Sequence, residues 1–161
     1  MHMDDVMSYD QLMFPVIWLG RKDVSTFVDL EHLRTCDYVF WRAGLRKSGC
    51  IVDRNLVRRD VGSVRVTGHK SPFWGYRLPG KRILLLDFDF TGGATSIALE
   101  ELKSMAIRSA RASGMYVGMA GSARSYEHSI QKLDSFEAVA KEFQVGPKRG
   151  WLRNFWAGPL D

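Results

Sequence analysis

The sequence predicts an α+β fold: an antiparallel β-sheet with two or three helices packed mainly on one face. Three observations lead there. β-forming segments crowd into the first ninety residues, and the two clearest helical stripes lie after residue 95. Strands and helices also fail to alternate in the regular way that a wound α/β sheet requires. At 161 residues the chain fits one domain spanning 1–161, with 1–12 and 147–161 expected at its periphery. That length buries a core without disulfide or metal staples.

Taken in order, Phe14–Leu19 is a short apolar run of strand type closed by Gly20, and Ser25–Leu33 places Phe27, Leu30 and Leu33 on one helical face. Tyr38–Trp41 is rich in β-forming aromatic and branched residues, and Cys50–Val52 follows a Ser48-Gly49 turn signal. Ser63–Thr67 alternates, with Val64 and Val66 turned inward and Arg65 and Thr67 outward. Lys70–Gly80 holds two prolines and two glycines among Phe73, Trp74 and Tyr76, which marks a loop or hairpin.

Lys81–Phe90 is the strongest strand. Leu84, Leu86, Phe88 and Phe90 share one face, Asp87 and Asp89 the other. Thr91–Ala94 reads as a loop before a helix over Ser96–Ser113, where Ala98, Leu99, Leu102, Met105, Ala106, Ser109 and Ala110 form one stripe. An N-cap from Thr95 or Ser96 is expected there. Met115–Met119 is a further strand, and Ser122–Leu133 is ambiguous. Asp134 and Glu137 resemble a capping box opening a helix with Phe136, Val139, Ala140 and Phe143 on one side. The tail carries Trp151, Phe155 and Trp156 among basic residues.

Purely apolar runs such as Ile83–Leu86 fall far short of the roughly 20 residues of a membrane span. The acidic start, Met1 to Asp5, has no apolar segment of secretory type, so a cytoplasmic protein without membrane partners is expected. Cys36 and Cys50 read as two free, buried thiols. His32, His69 and His128 lack ligand-pair spacing, so neither metal nor cofactor is expected.

Charge is the main functional signal. Residues 42–82 hold eleven Lys and Arg against two acids, Asp53 and Asp60, in a chain of net charge +5. Gathered on one sheet face, these cations would bind an anionic partner, either an acidic protein surface or nucleic acid. Arg58, Arg59, Arg65 and Arg77 would supply charge-assisted contacts, with Trp74 and Tyr76 as aromatic anchors. The same set could bind single-stranded nucleic acid by stacking and phosphate contacts.

Two resemblances add to this. Asp87-Phe88-Asp89-Phe90-Thr91 after an apolar strand resembles the first motif of haloacid-dehalogenase-type phosphatases. It would imply a magnesium site with Asp87 as nucleophile and Asp89 as general acid. Set against this, no second acidic pair stands at a strand end, and the motif begins past the chain's midpoint. Two aspartates on an open strand face can equally pair with arginines across the sheet, and Arg65 is the neighbouring candidate.

The second resemblance is one of order: aromatic strand, Gly turn, Ile51-Val52-Asp53-Arg54, Val64-x-Val66, the long apolar strand, Leu99-Glu100-Glu101-Leu102-Lys103, then Ser135-Phe136-Glu137-Ala138-Val139. Over about Asp37 to Phe143 it resembles small bacterial immunity proteins of polymorphic and contact-dependent toxin systems. Such a protein would neutralise one cognate toxin domain by binding it, without turnover, and a basic one implies an acidic toxin surface.

Overall fold

The computed structural model describes residues 9–42, 46–69, 83–113 and 123–144. Six strands form one antiparallel sheet: β1 (Val16–Gly20), β2 (Val24–Phe27), β3 (Thr35–Asp37), β4 (Gly49–Asp53), β5 (Val57–His69) and β6 (Ile83–Ser96). Their spatial order is β2-β1-β4-β5-β6-β3. The helices are α1 (Leu30–Leu33), α2 (Tyr38–Arg42), α3 (Leu99–Ala112), α4 (Ala123–Gln131) and α5 (Phe136–Glu142). A sheet with its three longer helices, α3–α5, on one side is the α+β arrangement that the residue pattern predicts.

The sheet cannot lie flat. Its two end strands, β2 and β3, are joined by only the residues 28–34, four of which are coiled into α1. Six strands at about 4.8 Å spacing would hold those ends roughly 24 Å apart, so the short link draws them together and the sheet curls. Two cores result. Inside the curl, Val16, Trp18, Phe27, Leu33, Cys36, Ile51, Val61, Val64, Leu84, Leu86 and Phe88 pack together. Trp18 meets Phe88 edge-on at 5.8 Å between ring centroids.

Outside, Ile17, Leu19, Val24, Cys50 and Val52 meet α3, α4 and α5 through Leu102, Ala106, Ala110, Ile130, Phe136 and Val139. Strand β1 therefore buries both faces at every position. Polar anchors fix the helices over it: Ser109 donates to the Gly20 carbonyl at 2.9 Å, and Thr26 to the Ala140 carbonyl at 2.7 Å. The buried Lys103 ammonium donates to the carbonyls of Gln131 and Leu133, both at 2.9 Å. It thereby satisfies carbonyls left over at the end of α4.

Several elements differ from the sequence expectation. Residues 38–41 coil into α2 instead of extending. The strand lies just before them at β3, and Tyr38 and Trp41 pack against the inner core. Residues 25–33 divide into β2 and α1, because Asp29 caps a helix at that point by accepting from His32 N at 2.8 Å. Helix α3 starts at Leu99 behind Ala98, without the side-chain cap expected from Thr95 or Ser96. Helix α5 is capped by Ser135, one residue after Asp134, while Glu137 pairs outward with Arg54 at 3.0 Å. Ala123–Gln131 resolves as α4.

Val64 faces inward as expected, but Val66, opposite the buried Leu86 and just before a register shift at Gly68, is 40% exposed. Ile83 is likewise exposed, so no cover lies over that face of β6 even at its start. The expected hairpin at 70–80, the strand at 115–119 and the tail at 147–161 lie outside the described residues.

Leu102 is fully buried between α3 and the outer sheet face. Truncation to Ala is expected to cost about 2–5 kcal/mol, read as a lower denaturant midpoint at unchanged slope.

Candidate functional site

Helices α3–α5 lie over β1, β2 and β4, and among the described residues no helix packs on the outward face of the β5–β6 ribbon. Register decides what stands on it. Arg65 is opposite Asp87 and Ser63 opposite Asp89, all four turned away from the inner core. Arg65 Nη2 lies 3.4 Å from Asp87 Oδ2, and Ser63 donates to Asp89 Oδ2 at 3.3 Å. This is the cross-strand pairing that alternation predicts.

Asp87 is held from the other side as well. The Tyr9 hydroxyl donates to its Oδ1 at 2.7 Å and accepts from Phe88 N at 2.6 Å. Arg34 stands 3.9 Å from the same carboxylate, its guanidinium 5.1 Å from the Tyr9 ring centre. Burial, then the bond to Asp87, push the Tyr9 phenol up to about 12, against the lowering effect of the bond from Phe88 N. Sequence reasoning missed Tyr9 and Arg34. Tyr9 sits in a segment without periodicity, and Arg34 follows a four-residue helix, so neither position carries a local signal.

The Asp-x-Asp pair is not at a strand end. Strand β6 runs on to Ser96, through Thr91–Ala94 expected as a loop and to the residue expected to open the helix, with Thr91 in register with Asp60, Thr95 with Arg58 and a bulge between them. Among the described residues, no three His, Cys, Asp or Glu side chains group to hold a metal ion.

The remaining expected binding residues separate. Arg59 is buried: Nη1 meets Asp53 Oδ2 at 2.6 Å, and Nη2 donates to the Gln11 carbonyl at 3.1 Å. Its place is structural, because β5 alternation turns it into the curl, where Asp53 also accepts from Asn55 N and Val57 N. Arg58, its neighbour, is half-buried on the outer face and pairs with Asp60 at 2.8 Å, beside a shallow depression lined by Gly20, Arg21, Ser48 and Cys50. Trp74, Tyr76 and Arg77, with Lys70, Lys81 and Arg82, lie outside the described residues.

Seven cations of the basic stretch are described, and four of them, Arg54, Arg58, Arg59 and Arg65, are paired in place with carboxylates. Arg46 is spent on the fold, donating to the Thr35 carbonyl at 2.6 Å with its guanidinium 4.1 Å from the Phe27 ring centre. Arg42 and Lys47 stand exposed. The described part of the stretch is thus a mixed-sign surface, not the gathered positive face expected from the count.

No protein-family model matches the chain, and neither does a curated protein or a solved structure. No described helix is long and apolar enough to cross a membrane.

This geometry has measurable outcomes. Arg59→Leu leaves Asp53 buried without its counter-ion and is expected to cost about 3–5 kcal/mol, whereas Arg58→Leu breaks a surface pair worth about 0–1 kcal/mol. Urea unfolding of the two variants separates them. The Tyr9 phenol is raised above its ordinary value of 10.0 to about 12, so its contribution to stability is complete below pH 10 and lost as pH rises toward 12. Tyr9→Phe should remove that alkaline slope from a melting-temperature series.

Proposed function

We propose that the chain acts by binding a partner protein across the outward β5–β6 face, and that the partner is a toxin domain which this binding neutralises. The observation that carries this reading is the braced set of Arg65, Asp87 and Asp89 on two long, paired strands, with Arg34 and Tyr9 fixing Asp87 from the side. Charged groups already held in place lose little freedom on binding, which lowers the cost of association. Their alternating sign also favours a partner of complementary alternating sign, and such patterns govern association rate and partner choice more than total affinity.

A nucleic acid backbone instead calls for cations that can be given over to phosphates. Arg54, Arg58, Arg59 and Arg65 already face carboxylates, which makes a protein the better-matched partner. The order of elements that resembles toxin-immunity proteins supports the specific form of the proposal.

The test is co-purification with the polypeptide encoded by the adjacent reading frame, followed by association kinetics at low salt. Arg65→Glu with Asp89→Lys keeps the net charge while inverting the face. It should slow association roughly tenfold, with the melting temperature little changed. Unaltered kinetics in that variant, or tighter binding to oligonucleotides than to any such polypeptide, would overturn the proposal.

A further inference from the structure

The curl has a seam. Every pair of neighbouring strands in the sheet is joined by a backbone ladder, but among the described residues no ladder joins the end strands β2 and β3. Each end strand is fastened to its own side instead. Strand β2 is laddered to β1, and at Thr26 its N–H donates to the Phe143 carbonyl at 3.0 Å beside a bridge to Gln144. Strand β3 is laddered to Ile83–Leu85 of β6, and just beyond it Leu86 N donates to the Arg34 carbonyl at 2.7 Å.

Arg46 spans what the ladders leave open. Its Nη1 donates to the Thr35 carbonyl on β3 at 2.6 Å, and its guanidinium carbon stands 4.1 Å from the ring centre of Phe27 on β2. Its backbone N–H bonds to the carboxyl of Asp23, in the turn between β1 and β2, and Asp23 Oδ1 also accepts from Trp18 Nε1 at 3.0 Å. One residue is therefore bound to both end strands and to that turn. Its φ of 57° lies in the left-handed region, which a residue with a Cβ keeps only where its surroundings fix it. Lys47, the next residue, holds its ammonium 5.7 Å from the Trp41 ring centre of α2. Beneath Arg46 lies the inner core, where Phe27 and Cys36, one from each end strand, are buried.

We infer that Arg46 is the bolt of a strap across this seam, and that the inner layer opens there, by the parting of β2 from β3, while the outer layer stays packed. Parting the two strands breaks no rung of any ladder. It breaks the contacts of Arg46 and the apolar contact among Phe27, Leu33 and Cys36. Local openings follow the route that breaks fewest cooperative bonds. The outer layer is spared because its anchors, Ser109 to the Gly20 carbonyl and Thr26 to the Ala140 carbonyl, all lie on the β2 side of the parting. The short link 28–34 ties Phe27 to Thr35, so the opening is a hinged crack and not an unrolling of the sheet. Arginine suits the position, since its planar fork stacks on a ring and donates to a carbonyl at once, which a lysine ammonium does less well.

This opening is independent of the partner-binding reading. Its test is the alkylation of Cys36 by iodoacetamide in the full chain, read by peptide mass across a urea series below the unfolding transition. Amide exchange at Ala106 and Ala110 of α3, both fully buried, reports the outer layer alongside. In wild type the Cys36 rate should depend weakly on urea, while the α3 amides follow the steep slope of global unfolding. Arg46→Met keeps the apolar stem and loses the donors, and should speed Cys36 roughly tenfold with α3 exchange unchanged. Arg46→Lys should fall between the two, and decides by the same pair of readouts if Arg46→Met does not fold. A wild-type Cys36 rate that shares the α3 slope throughout, or a folded variant in which both reporters rise together or neither rises, overturns the inference.

Discussion

The buried pair of Asp53 and Arg59 is the constraint on which the sheet depends. Taking both charges out of water costs several kcal/mol per ion, and only close geometry with further hydrogen bonds offsets that. Asp53 supplies those bonds by accepting from Asn55 N and Val57 N, which shapes the link between β4 and β5. Leu56 takes a left-handed φ of 58° in that link and accepts from Ile97 N at 2.9 Å. One carboxylate therefore fixes the turn, the departure of β5, and the point where β6 gives way to α3. The second guanidinium nitrogen of Arg59 fastens the segment before β1 at Gln11.

Beyond that anchor, strand length shapes the surface. Strands β5 and β6 extend well beyond the five residues of β1 and β4, so the ribbon they form runs past the part of the sheet that the helices cover. Its inner side still has Trp18 and Tyr9 to pack against, through Phe88 and Phe90. Its outer side meets none of the described helices, and Ser63, Arg65, Asp87 and Asp89 occupy it. The braced surface at Asp87 is a consequence of that overhang.

Much of this was legible in the residues. The period of two at Leu84, Leu86 and Phe88 placed the inner core, and the helical stripe at Leu102, Ala106, Ser109 and Ala110 placed the outer one. The pairing of Arg65 with Asp87 was legible as well, since adjoining strands of opposite charge pair across a sheet. Other features resisted for physical reasons. Residues 38–41 carry strong β-propensity, yet the strand is spent at 35–37 and the chain coils to bring Trp41 onto the core. Arg59 looks like its neighbour Arg58 in composition, and only the facing direction of one strand position separates a buried counter-ion from a surface one. Thr91–Ala94 signals a loop in sequence; β5 pairs with Thr91 and Thr95 on either side, and Gly92–Ala94 bulge out of register between them. Tyr9 acts across a separation of 78 residues, a distance at which no local pattern can speak.

The two thiols belong to different layers, Cys36 inside the curl and Cys50 beneath the helices. The sheet itself stands between them, so they cannot meet while it is intact. Burial raises both, Cys50 to about 11, which lowers the thiolate share of each in the closed molecule. Each becomes reactive only when its own layer opens. The chain thus carries a built-in pair of stopwatches, and the rate at which an alkylating reagent consumes each sulfur would time the loosening of one layer separately from the other.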